Sequence, residues 1–295
     1  MASVTADMAG REAQTRAQKI IRFVTKTPLH IFLILMALFW TIPTVGLLAT
    51  SFRPIEKISE SGWWDIFGDP GQLTTRLYTD ILERTGFVQS LLNTAYITIP
   101  TTVLMILIAA LAAYAFAWID FKGRDIFFLI VVALLVVPLQ MALIPMSRLF
   151  GDLGIFGTIW AAILFHIAFG LPFAIFLLRN FFIGLPAELF EAARIDGASE
   201  WQIFYRIVLP LGMPAIAALG IFQFLWTWND LLVALVFTSG DSIPITVFIR
   251  DQLRTFGGNL DVIAPGAFIS MTIPLIVFFA FQRYFVQGLL AGSVK

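Results

Sequence analysis

Gln223, Asn229 and Asp230 fall within one apolar run of the chain, and His166 falls within another. Placing an ionisable side chain in a lipid-embedded helix costs about 3 kcal/mol on insertion scales, so such residues need a task. Gln223 precedes Asp230 by seven residues, close to two helical turns, which lets both project on one side. Two tasks suit them: lining a polar pathway, or hydrogen bonding to a neighbouring helix. His166 stands alone in mid-span and reads as a neutral, hydrogen-bonded imidazole before a proton relay. Other chemistries lack their residues. The chain has no Cys and only two His, which leaves no thiol nucleophile, no disulfide and no thiolate metal site. There is no G-x-S-x-G elbow, and no G-x-x-x-x-G-K-[ST] loop to wrap a nucleotide phosphate. The chain therefore does not hydrolyse ATP by that route, and any such energy enters from outside it.

A second group of residues lies in a polar insert, Arg179 to Leu211, between two apolar runs. Pro186 suits a first helical position, where its missing N–H costs nothing. Glu188 and Glu191 suit the early turns, beside the positive end of the helix dipole, and Arg194 follows Glu191 at a spacing that pairs across one turn. Gly197 can take the left-handed conformation that ends a helix. Ser199 and Gln202 form a capping-box pattern for a second short helix, expected to stop at Pro210. Leu189, Ala192, Ala193 and Ile195 give the first helix a small, apolar face. Such a face suits either a protein partner or the bilayer interface.

The elements that must position these residues are membrane spans. Of 295 residues, 59% are hydrophobic and 13% charged, and the mean hydropathy is +0.89. Soluble domains carry about 25% charged residues. Six runs reach the roughly 20 apolar residues that cross a bilayer core, at 29–51, 91–119, 126–147, 155–178, 212–238 and 264–282. The expected fold class is all-α: a polytopic membrane protein with six transmembrane helices and a helix-Gly-helix loop at 179–211. Residues 1–28 form a polar tail and 29–295 the transmembrane domain. Formal net charge is zero and points to no nucleic-acid partner. Arg11, Arg16, Lys19, Arg22, Lys26, Lys122, Arg124, Arg179, Arg194, Arg206, Arg283 and Lys295 all fall on one face of this topology, twelve of the nineteen Lys and Arg. The positive-inside rule puts that face, both termini and the 179–211 loop in the cytoplasm. Two longer segments face outward, 52–90 with Trp63 and Trp64, and 239–263 with a tip at Gly257, Gly258 and Asn259.

Glu191-Ala192-Ala193, three residues, Gly197, nine residues, then Ile207-Val208-Leu209-Pro210 resembles the loop signature of inner-membrane permease subunits of binding-protein-dependent ABC importers. The stretch Ala112-Ala113-Tyr114-Ala115-Phe116-Ala117 before Phe121-Lys122-Gly123-Arg124 is similar to the end of the second span in the maltose-type, carbohydrate branch. So are Phe169-Gly170-Leu171-Pro172-Phe173, Asp196-Gly197-Ala198-Ser199 and the tail from Arg283 to Gly288 and Ala291 to Lys295. The resemblance implies a bacterial inner-membrane permease in which Glu191, Ala192, Ala193, Arg194, Asp196 and Gly197 couple to an ATPase. It implies a second permease, two cytoplasmic ATPase subunits and an extracytoplasmic sugar-binding protein touched by the Gly257, Gly258 and Asn259 tip. ATP and Mg would belong to the ATPase subunits, and no cofactor to this chain. Disaccharides or oligosaccharides such as α-glucosides, polyols and glycerol-linked sugars all fit that branch.

Three other classes compete. An ion-coupled secondary transporter calls for several paired ionisable residues in the spans, and Asp230 is the one clear acidic candidate. An intramembrane enzyme calls for a nucleophile, metal or acid–base set. A membrane anchor has no use for the Glu191 to Pro210 pattern.

Overall fold

The computed structural model describes residues 2–253 and 259–291, and side chains over 27–253 and 259–282. Gly257 and Gly258, of the expected outer-loop tip, lie outside the described residues, as do 292–295 of the tail. The chain forms two compact units, 1–76 and 77–295.

In the first unit, α1 (Ala2–Ser51) carries the expected tail and first span as one helix, whose apolar part is Thr27–Ser51. Phe39 and Trp40 on it are 67% and 71% exposed. Large apolar surfaces of this kind are stable where lipid or protein stands in for water. The expected outer loop begins with α2 (Ile55–Glu60) and two short 3₁₀ turns, Trp63–Phe67 and Pro70–Gln72. Arg53 is buried at their centre. It donates from Nε to Gln72 Oε1 at 3.0 Å, from Nη1 to the Ser61 carbonyl at 2.9 Å, and from Nη2 to the Lys57 carbonyl at 2.9 Å and Ser61 Oγ at 2.6 Å. All four acceptors are uncharged. The planar fork of five donors thus organises the segment by gathering the Ser61 carbonyl and hydroxyl, the Lys57 carbonyl and the Gln72 amide oxygen around one cation.

The second unit holds α3 (Arg76–Glu83), α4 (Phe87–Trp118), α5 (Arg124–Leu134), α6 (Leu139–Asp152) and α7 (Ile159–Ile183). There follow α8 (Ala187–Ile195), α9 (Glu200–Ile203), α10 (Leu209–Trp228), α11 (Leu232–Phe237), α12 (Ile245–Leu253) and α13 (Leu260–Ala291). Its core is the packing of α4 on α7. Ala109, Ala110 and Ala113 of α4 and Ala161, Ala162 and Ala174 of α7 are all buried. Lipid tails are as apolar as any side chain, so helices associate in a membrane by close van der Waals packing, and small residues allow it. Gly170 on α7 shows how close the approach is: a Cβ there would lie 2.6 Å from Met105 Sδ and 3.2 Å from Gln223 Oε1.

Among the described residues five unbroken helices are long and apolar enough to cross a membrane, and a sixth crossing is available only as a bent pair. The run 126–147, expected as one span, is divided into α5 and α6, which are bent by 99°. Pro138 explains the division, because it has no N–H to continue the ladder and its own backbone is extended, at φ −64° and ψ 129°. The expected span 212–238 also changes at both ends. At its start, Pro210 does not stop a helix. A π turn at Phe204–Val208 precedes it, Pro210 enters the first turn of α10, and the apolar helix is continuous over Glu200–Trp228. At its end, α10 stops at Trp228, so Asn229 and Asp230 lie in a break before α11 and not inside a continuous span. Among the described residues β pairing is limited to an isolated bridge between Gly157 and Thr238.

Gly170→Val should overpack the α4–α7 contact and lower stability by about 1–3 kcal/mol. The midpoint of thermal unfolding in detergent measures it; an unchanged midpoint would show that this interface has slack.

Candidate functional site

The site with the most structure is the elbow of α8 and α9, where the ends of α4 and α7 meet the start of α10. Pro186 occupies the N-cap of α8, one position before the expected N1, with Glu188 in the first turn. The C-terminus closes with two bonds, Ala198 N–H to the Ala193 carbonyl at 2.9 Å and Gly197 N–H to the Arg194 carbonyl at 3.1 Å. This is the Schellman arrangement, which needs a left-handed residue. Gly197 supplies it at φ 79°, in open space, so backbone conformation alone demands glycine there. The expected capping box is present: Ser199 N–H donates to Gln202 Oε1 at 2.8 Å and Gln202 N–H to Ser199 Oγ at 3.3 Å.

What holds the elbow to the bundle is aromatic. Phe190 on α8 is fully buried and stacks on Trp118, the last residue of α4, with ring centroids 3.9 Å apart and planes within 13°. Trp118 Nε1 donates to the Phe182 carbonyl on α7 at 2.9 Å, and Arg194 Nη2 donates to the Trp118 carbonyl at 3.2 Å. Both acceptors are helix-end carbonyls, that of Phe182 also accepting from Leu185 N–H at 3.2 Å. Arg194 does not pair with Glu191 as the spacing suggested. Its Nε lies 2.9 Å from Glu200 Oε1, across the glycine hinge, and Glu200 Oε2 accepts from the Tyr114 hydroxyl on α4. The Glu200 hydrogen bond raises the pKa of the Arg194 guanidinium above its ordinary value, outweighing the desolvation that would lower it. Arg179 of α7, over the ring of Phe128 on α5 at 3.9 Å and donating to the Phe116 carbonyl on α4 at 3.3 Å, ties the spans to one another and not to the elbow.

The outward face of α8 comprises Leu189, Glu191, Ala192 and Ile195, the last 86% exposed, followed by exposed Asp196 and Gly197. Ala193 is a correction: expected on this face, it is half-buried against the bundle core. The reason is its place three residues after Phe190, which puts it on the same side of the helix. Trp118, Phe190, Tyr114 and Glu200 were missed by sequence reading. A signal for Phe190 existed, as the one large aromatic in a helix of small and polar residues.

The polar residues of the fifth span separate. Gln223 is buried and donates to Thr227 Oγ1 at 3.0 Å, while Asn229 is exposed and donates to the carbonyl of Leu225, one turn back, at 2.8 Å. Asp230 turns inward. Its Oδ2 accepts from the Ala234 N–H at 3.0 Å, capping α11, its carbonyl accepts from Thr246 Oγ1 on α12 at 2.7 Å, and Oδ2 lies 3.6 Å from His166 Nε2 on α7. His166 is therefore not alone. Of the outer-loop tip, Asn259 precedes α13, donating to Gln252 Oε1 at 3.0 Å and accepting from Val262 and Ile263 at 2.9 and 2.8 Å. Among the described residues no group of three or more His, Asp or Glu is placed to hold a metal.

Spans packed on small residues, with a rigid two-helix elbow at one end of the bundle, define a membrane permease subunit. A family described as the binding-protein-dependent transport system inner membrane component matches residues 103–291, and the chain belongs to that family. It is 48% identical over 278 residues to the osmoprotective compounds uptake permease protein GgtD of Synechocystis, covering 92% of this chain and 93% of that one. It is 51% identical over 236 residues to the alpha-glucoside transport system permease protein AglG of Rhizobium meliloti, covering 77% of this chain and 61% of that relative's length. The fold matches that of a bacterial ABC transporter involved in the import of the acidic polysaccharide alginate, with a TM-score of 0.75 over 92% of this chain and 98% of that one, at 24% identity. The protein is thus a multi-pass permease component of the ABC importer class.

Phe190→Ala should cost about 3–5 kcal/mol, the usual range for emptying a buried aromatic site. Limited proteolysis within 184–200 should accelerate accordingly, and an unchanged cleavage rate would mean that the Trp118 stack does not hold the elbow.

Proposed function

We propose that the chain forms, with a second permease subunit, the pathway for a neutral, polyhydroxylated solute of the glucoside class, delivered by an extracytoplasmic binding protein and driven by two cytoplasmic ATPase subunits. The observation that carries the coupling role is the contrast between the two sides of α8. One side is locked to α4 and α7 through Phe190, Trp118 and Arg194, and the other leaves Leu189, Glu191, Ala192 and Ile195 exposed among the described residues. A helix held on one side and open on the other, with its exit angle set by Gly197, suits transmission of a partner's movement to the spans. In this reading Glu191, Ala192, Asp196 and Gly197 touch an ATPase subunit, Arg194 and Ala193 set the elbow's posture from within, and both termini are cytoplasmic. Asn229, exposed at the α10–α11 break, is the polar residue of the fifth span proposed to face the solute; Gln223 and Asp230 support it from inside.

The solute class rests on the names of the two relatives, one described by osmoprotective compounds uptake and the other by alpha-glucoside transport. Titration of the cognate binding protein should show binding of α-glucosides or glycerol-linked glucosides and none of amino acids. Amino-acid binding alone would overturn the solute assignment and leave the coupling assignment standing.

For the coupling, Ile195→Arg should leave insertion and folding intact, and Gly197→Asp should leave insertion intact while straining the left-handed turn of the elbow. In reconstituted complexes solute uptake should fall to the level of empty vesicles, and ATP hydrolysis should no longer respond to loaded binding protein. Uptake at the unmodified rate in both variants would sink the assignment.

A further inference from the structure

We propose that a single water molecule is the resident ligand of a small cavity between α4, α7 and the α10–α11 break, where it joins Thr98, His166 and Asp230 into one polar latch. The cavity has a volume of about 10 Å³ and is lined by Thr94, Thr98, His166, Thr227 and Asp230, with apolar residues around them. On the same measure a water needs roughly 10–15 Å³ and two to four polar partners. A glucoside, or any solute the importer would carry, is far too large for it.

Three observations on the lining point to water. Thr98 is fully buried, and its hydroxyl finds no partner among the described residues. Its neighbour one turn earlier behaves otherwise: Thr94 Oγ1 donates to the Ser90 carbonyl at 2.8 Å and accepts from the Ile245 N–H at 2.8 Å. His166 Nε2 and Asp230 Oδ2 are 3.6 Å apart, both largely buried. A direct N–H···O bond has a length of about 2.7–3.2 Å, so a polar contact of this length leaves room for a bridging water. Thr227 Oγ1 accepts from Gln223 Nε2 at 3.0 Å and, as a hydroxyl, still has a proton to donate. Donor, acceptor and amphoteric groups thus face one space of water size. A monovalent cation would find one carboxylate and a basic imidazole there, a poor set of ligands for it.

The latch matters because of what it joins. Thr98 is on α4 and His166 on α7, the packed core pair, while Asp230 caps α11 and accepts from Thr246 of α12. The water ties the segment after the fifth span to the rigid pair. Thr98, His166 and Asp230 are positioning residues in this scheme, acting on α11 and α12 and not on the solute.

A structure of the assembled importer at a resolution that shows ordered water tests this, for the unmodified protein, Thr98→Ser and Thr98→Val. One peak within hydrogen-bond distance of residue 98, His166 and Asp230 is expected in the unmodified protein and in Thr98→Ser, with or without solute, and none in Thr98→Val. A direct His166–Asp230 bond across a dry cavity would overturn the proposal, as would a peak that appears only with solute. Hydrogen exchange at the amides of 232–237 gives the second readout. It should quicken several-fold in Thr98→Val and in Asp230→Asn, with no further quickening in the double variant. Multiplied effects in the double variant would mean that the residues act separately, and the latch would be lost.

Discussion

Trp118 is held on three sides, and the elbow's posture follows from it. Phe190 covers its face, the Phe182 carbonyl takes its N–H, and Arg194 takes its carbonyl. Two of these contacts come from α8 and one from α7, so α4, α7 and α8 meet at this one residue. The ion pair between Arg194 and Glu200 is half-exposed and contributes little energy by itself, since water screens such pairs. Its effect is geometric. With Tyr114 on the other oxygen of Glu200, it fixes α9 against α4 and thereby the angle across Gly197. A lever transmits motion only if its attachment is stiffer than its load, and close packing of a buried aromatic pair provides that stiffness.

Polar groups in the spans follow a different economy. In the membrane interior an unpaired donor or acceptor has no water to turn to, so the bundle pairs its polar side chains across helix breaks. Asp230 illustrates it. The interruption of the fifth span frees backbone groups, and the same carboxylate that would be costly in a continuous helix caps the N–H of Ala234. The break and the charge justify each other. Asn229 closes the preceding turn by bonding one turn back, a local bond that competes with helix continuation.

Much of this was readable in the chain before any coordinates. The capping box of Ser199 and Gln202, the helix-ending Gly197 and five of the crossings each depend on residues within a few positions of one another, and local spacing states them directly. What escaped reading is long-range. Trp118 lies far from Phe190 in sequence, and Arg194 chose Glu200 beyond the hinge over Glu191 within its own turn. His166 looked solitary because Asp230 approaches it from another span. Hydropathy also cannot distinguish a straight run from a bent one. The residues of 126–147 are apolar throughout, and Pro138 is no different on its face from Pro100 or Pro172, which stay within helices.

The π turn at Phe204–Val208 deserves a geometric reading. In it each bond skips one residue more than in an α-helix, so one residue is added to the winding. An α-helix advances by about 100° per residue, so the addition offsets the angular phase of everything before the turn against everything after it. Ile203, Phe204 and Val208 are all buried in consequence, a set that spreads wider than one narrow stripe. Here the number of residues, more than their kind, sets the compass bearing at which the elbow leaves the span. A one-residue deletion could keep every apolar side chain and still aim α8 at empty space.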